Sequence, residues 1–162
     1  MKRVIGTLLV VLALTCSAEA QQQQRKVVLL GGFGWPITSH MDTWAWAFRA
    51  RGFVVESGPH GHMPRGPVYA IIGHSLGAVS AARIAHESGA RKVFFLDSPW
   101  RLTCPTRVRC YNLYAPATPF VPFLGGYGAQ VDGSQNMLCA RCGGHIGMSS
   151  SEAVLHHILQ RL

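Results

Sequence analysis

Acidic residues are scarce: 7 Asp and Glu stand against 15 Lys and Arg in 162 residues, a formal net charge of +8 at pH 7. So few carboxylates leave little choice for a catalytic acid. The positive excess has no run of basic residues and no nucleic-acid recognition motif behind it, which argues against nucleic acid as the partner. Weak attraction to an anionic surface or substrate fits it better, with solubility alone as the plain alternative. There is no internal repeat and no second domain, so residues 21–162 read as one unit. The apolar run Val4–Leu14, broken by Gly6 and Thr7, is too short for a stable membrane anchor. Lys2 and Arg3 precede it and Ala18-Glu19-Ala20 follows, so residues 1–20 read as a secretory signal peptide with Gln21 as the mature start. The expected location is therefore secreted or periplasmic. Lipid attachment at Cys16 is the rival reading, but Ala13-Leu14-Thr15 fits such a site poorly. Removing residues 1–20 leaves 142 of the 162 residues and, with Lys2, Arg3 and Glu19 gone, a charge of +7. A chain of that length can bury one core.

Four cysteines remain after residue 20: Cys104, Cys110, Cys139 and Cys142. An even number in an exported chain favours disulfides, with three pairings possible. The most local is Cys104 with Cys110 and Cys139 with Cys142. Read instead as metal ligands, Cys139, Cys142 and His145 lack a clear fourth partner. The spacing is not that of covalent haem attachment either, because histidine does not directly follow Cys142. His60-Gly61-His62 reads as a polar surface loop rather than a metal site.

Lys26–Leu30 is continuously apolar after its first residue, the pattern of a strand buried on both faces. Ser39 with Asp42 forms a capping-box pattern, and Met41, Trp44, Ala45 and Phe48 fall on one helical face that Gly52 ends. Phe53–Glu56 predicts a second strand. Residues 59–67 carry Pro59, Pro64 and Pro67 and cannot form a helix. A crossover without a helix predicts either a partly uncovered sheet face or an unusual strand order. Lys92–Leu96 and Arg109–Tyr114 predict two further strands. Residues 115–129, with Phe120, Phe123 and Tyr127, read as an apolar loop over the site, and Ser149 with Glu152 as a second capping box. Val154, Leu155, Ile158, Leu159 and Leu162 form the buried stripe of a last helix.

The chain is organised around residues 69–79, where an apolar run stops at Gly73 and Gly73-His74-Ser75-Leu76-Gly77 leads into small and apolar residues at helical spacing. This is strand, sharp turn, helix, with a serine at the turn, the nucleophile-elbow pattern Gly-x-Ser-x-Gly. The turn strains the backbone and leaves no room for side chains at its flanks, hence the glycines. It also sets the Leu76 amide at a helix N-terminus, where an oxyanion could form.

On these residues the chain resembles the α/β-hydrolase family, more closely its small secreted lipase and esterase-like members, over roughly residues 26–160. The resemblance implies a compact α/β fold with a mostly parallel central sheet flanked by helices, reduced between the second and third strands. It also implies the chain order serine, acid, histidine. His145, between glycines just before the last helix, is the candidate base; His86, His156 and His157 lie on helices, and the His74 side chain should point away from the Ser75 hydroxyl. Asp97, at the end of the strand after the elbow helix, is favoured as the acid over Asp132 in the turn Val131-Asp132-Gly133, with Glu56 a remote third. The second oxyanion donor is expected at Phe33, beside Leu76, although Gly31-Gly32 stands where the family often has His-Gly. Trp35, Phe120 and Phe123 are the candidate substrate-binding residues.

The resulting expectation is a serine hydrolase of carboxylic esters or thioesters, with a small-molecule or lipid ester as partner and no cofactor. A non-catalytic binding module on the same fold is the alternative, and a zinc-stabilised binding protein is a third reading.

Overall fold

The computed structural model describes residues 25–37, 40–116 and 129–162. The predicted signal peptide, Ser39 and the aromatic residues Phe120, Phe123 and Tyr127 lie outside them. Six strands form a wholly parallel sheet: β1 (Lys26–Leu30), β2 (Val54–Gly58), β3 (Ala70–His74), β4 (Lys92–Leu96), β6 (Arg109–Tyr114) and β8 (Gln135–Leu138). Their order is β2-β1-β3-β4-β6-β8. A second, two-stranded sheet pairs β5 (Leu102–Thr103) with β7 (Val131–Asp132).

Alternation along the strands divides the core in two. Val27, Leu29, Ala70, Ile72, Phe94, Leu96, Tyr111 and Leu113 face one side. A 3-10 turn (Met41–Trp44) and helices α1 (Ala45–Arg49) and α4 (Glu152–Leu159) cover it with Met41, Trp44, Phe48, Val154, Leu155 and Ile158. Val28, Leu30, Ile71, Val93, Phe95 and Cys110 face the other side, against α2 (Leu76–Glu87) and Val131. The α2 contact is made by Ala78, Ala81, Ile84 and Ala85, residues small enough to bring helix and sheet close. Strands buried on both faces have to read as continuous apolar runs, and the inner ones do.

The helix-free crossover after β2 is present: residues 59–69 return the chain past β1 to β3 with no regular element. The strand order follows the ordinary doubly wound plan, and the missing cover shows at β2, an edge strand whose Val54 is 57% exposed. Polar bonds hold the crossover instead. The Glu56 carboxylate accepts from Lys26 Nζ at 2.9 Å, meets His62 Nε2 at 2.7 Å and lies near the Arg65 amide. The Gly61 amide donates to Ser80 Oγ on α2 at 3.0 Å.

Two local expectations are corrected. The last helix is capped by Ser151, whose hydroxyl accepts from the Val154 amide, and not by Ser149. Ser149 is buried, donates to the Ile146 carbonyl at 2.9 Å and accepts from the His40 amide at 3.3 Å, so its hydroxyl is committed away from the helix end. The strand β8 was not foreseen: all four of its residues are exposed, so no apolar pattern marks it.

Candidate active site

Two connections leave the sheet in opposite directions at the boundary of β1 and β3. β1 leads to β2 on one side; β3 leads through α2 to β4 on the other. Such a divergence opens a crevice at the carboxyl ends of the strands. Ser75 lies there, as the residue between β3 and α2, at φ 56° and ψ −123°. A non-glycine residue with positive φ is strained, and the surroundings impose it. A methyl group at Gly73 would strike the Gly77 carbonyl, and one at Gly77 would strike the Leu30 carbonyl at the end of β1. The elbow glycines are therefore sites of backbone-on-backbone packing. The Ser75 amide is tied to the Leu96 carbonyl at 2.9 Å.

The loop after β1 closes the other side of the crevice. A Cβ at Gly32 would sit 2.7 Å from Ser75 Cβ and 3.1 Å from Ser75 Oγ, so the bare Gly32 backbone faces the hydroxyl directly. Gly31 similarly makes room for the Trp35 side chain, which is half-buried against it. The Trp35–Pro36 peptide is cis. Phe33 follows Gly32 in a turn, with its side chain 76% exposed. Leu76 opens α2, and the first amides of a helix have no partner within it.

Asp97 ends β4 with φ 50° and is fully buried. Both of its oxygens are engaged. Oδ1 accepts from the Ala115 amide at 2.9 Å, and Oδ2 meets His145 Nδ1 at 2.7 Å. A buried carboxylate needs such partners to be tolerated. His145 is carried by a one-turn helix, α3 (Gly144–Met148), where the sequence suggested only a loop. Gly143 and Gly144 enter it at φ 77° and 69°. The disulfide Cys139–Cys142 lies immediately before it, and Cys104–Cys110 closes the loop after β5. This is the most local of the three pairings. It also takes up both cysteines that a zinc site next to His145 would need.

The other carboxylate candidates are committed elsewhere. Asp132 lies on the small sheet, exposed, where Arg101 grips it with Nη2 at 2.7 Å and Nε at 3.1 Å, holding its carboxyl below the usual range. Glu56 belongs to the crossover. His86 and His156 are exposed on their helices. His157 is held down to about 4 by partial burial and the neighbouring Arg161 charge.

One neighbour of the base escaped the sequence reading. His74 is buried and reaches His145, Nε2 lying 2.8 Å from the His145 carbonyl oxygen. The two rings are 4.7 Å apart. The only available signal was that position 74 falls on the same strand face as Ala70 and Ile72. Gly32 was likewise missed, although the Gly31-Gly32 pair marks a close backbone approach.

Among the described residues no helix is long and apolar enough to cross a membrane. No family model and no curated protein matches the sequence. Among solved structures, the chain is similar to a protein from Xanthomonas campestris pv. campestris provisionally described as a hydrolase of the alpha/beta superfamily. That likeness has a TM-score of 0.53 at 15% identity and covers 86% of this chain and 100% of the other; at this distance it speaks for a shared α/β fold.

Proposed function

We propose that the protein is an exported serine hydrolase that cleaves carboxylic esters or thioesters. The observation that carries this reading is the 2.7 Å pair of His145 Nδ1 with the buried Asp97, brought to the sheet edge that holds Ser75 at its strained elbow. Asp97 fixes the Nδ1–H tautomer, leaving Nε2 as the base. His145 takes the Ser75 proton as Oγ attacks the carbonyl, and Asp97 stabilises the imidazolium that forms. The leaving group departs with that proton. Water then attacks the acyl-enzyme by the same steps, and the acid is released. The Leu76 amide, together with that of Phe33, is proposed to donate to the developing oxyanion. Trp35 is proposed to line the acyl side.

The test is labelling by a fluorophosphonate and hydrolysis of p-nitrophenyl acetate, native protein against Ser75→Ala. The native protein should be labelled once, at Ser75, and hydrolyse the ester. The variant should keep its circular dichroism and lose both. Full activity in a folded Ser75→Ala protein would sink the assignment.

A further inference from the structure

His74 takes no part in the acyl-transfer scheme, yet it occupies an expensive position. Its side chain is 2% exposed, on the face of β3 that also carries Ala70 and Ile72. A carbonyl oxygen can only accept, so the 2.8 Å contact with the His145 main chain requires a proton on His74 Nε2. Among the described residues the buried Nδ1 has no hydrogen-bond partner, which suits a bare lone pair far better than a second N–H. The charged groups that face the ring are His145, from α3, and Asp97, from the end of β4. Burial first, then the charge on His145, holds His74 down to about 4. A neutral ring is what the base requires of its neighbour, because a second positive charge 4.7 Å away would oppose imidazolium formation on His145.

The base has need of such a partner. α3 is five residues long, has no side-chain cap and is entered through two glycines in left-handed conformations. A helix of this length has no stability of its own. The bond to Asp97 holds the imidazole of His145, and the bond from His74 holds its main chain. We propose that His74 is a positioning residue for the base, its neutral Nε2–H clamping the His145 carbonyl so that ring and backbone of the same residue are held at two points. The proposal rests on the hydrolase reading for what His145 must reach; the bond itself can be tested without activity.

Two variants and one spectrum decide it. Nitrogen-15 NMR of histidine-labelled Ser75→Ala protein should show His74 as the Nε2–H tautomer at pH 7, with no titration above about pH 5. His74→Leu removes the donor, whereas His74→Gln retains an amide N–H of similar reach. With p-nitrophenyl acetate, His74→Leu should lower kcat roughly 10- to 100-fold with KM within about threefold, the loss expected when a reacting group is misplaced by about an ångström. His74→Gln should recover kcat to within about threefold of native. An Nδ1–H tautomer overturns the proposal, as does native kcat in folded His74→Leu. A His74→Gln protein as slow as His74→Leu also overturns it, since bulk and not the donor would then matter. Should His74→Leu fail to fold, the tautomer and His74→Gln still decide. If native protein is not labelled at Ser75, the hydrolase reading falls by itself, and the spectrum still tells whether the His74–His145 bond exists.

Discussion

The proposed nucleophile and the proposed base are held by opposite means. Around Ser75 the constraint is packing of main chain against main chain: Gly73 on Gly77, Gly77 on the end of β1, Gly32 on Ser75 itself. Around His145 the backbone is close only in part: a Cβ at Gly143 or Gly147 would meet main chain at 3.1 or 3.0 Å, but among the described residues nothing lies within 4 Å of the position where a Gly144 side chain would begin. Discrete bonds to Asp97 and His74 and a nearby disulfide add to the order there. The first arrangement tolerates no added atom; the second has room for one at Gly144 but depends on its donors and acceptors.

Substitutions at the two sites should therefore fail differently. The largest effect is expected from Gly77→Val, which drives a branched side chain into the Leu30 carbonyl. Overpacking against backbone should cost more than about 3 kcal/mol and show as loss of soluble, folded protein. If the variant expresses and melts normally, the elbow is looser than the geometry implies. Asp97→Asn should leave the fold intact, because an amide oxygen can still accept from Ala115. It should nevertheless reduce kcat on p-nitrophenyl acetate roughly 10³- to 10⁴-fold, through the wrong His145 tautomer. A loss of only a fewfold would move the acid elsewhere.

A pH titration sharpens the contrast. Burial depresses His74 to about 4 in the folded state, against 6.5 when exposed. The unfolded chain thus binds more protons between these values, and stability is complete above about pH 6.5 and declines as pH falls toward 4. The full loss is on the order of 3 kcal/mol. Urea unfolding of His74→Gln at pH 7 and pH 4.5 should show a smaller decline than native protein; equal declines would assign the acid lability to other groups. The smallest effect is expected from Gly144→Ala. With open space but φ at 69°, it should cost about 1–2 kcal/mol and lower Tm by a few degrees while kcat remains near native. A collapse of activity there would mean that α3 is as tightly fitted as the elbow.

The same contrast explains what could be read in the sequence. Backbone-packed features demand particular residue types at fixed spacing, so the elbow, Lys26–Leu30, Lys92–Leu96 and Arg109–Tyr114 were legible. His145 and Asp97 were reached by chain order and the shortage of carboxylates. Their pairing was the favoured expectation over Asp132, and what the sequence left out was its geometry, a 2.7 Å contact between residues 48 apart with Asp97 fully buried. β8 was illegible because an exposed edge strand has no apolar period; Asn136 anchors it instead, through Asn112 Nδ2 at 2.8 Å and the Val131 amide at 2.8 Å. Ser149 was misread as a cap because Glu152 stands three residues after it, whereas Ser151, the residue that caps the helix, has Val154 at that place and so shows no capping box. The reading of residues 115–129 as an apolar loop over the site rests on Phe120, Phe123 and Tyr127, which lie outside the described residues.

His74 and Leu96 are partners in the β3–β4 register, and Ser75 and Asp97 each follow by one residue. The spacing between Ser75 and Asp97 is thus inherited from the rung of a ladder, where neighbouring strands lie about 4.8 Å apart. No loop sets it. The chain between β4 and β6, which carries β5 and the Cys104–Cys110 disulfide, can lengthen or shorten without disturbing that spacing. In this protein the machinery is addressed by row and column of the sheet, which leaves the connecting segments open to variation in substrate fit.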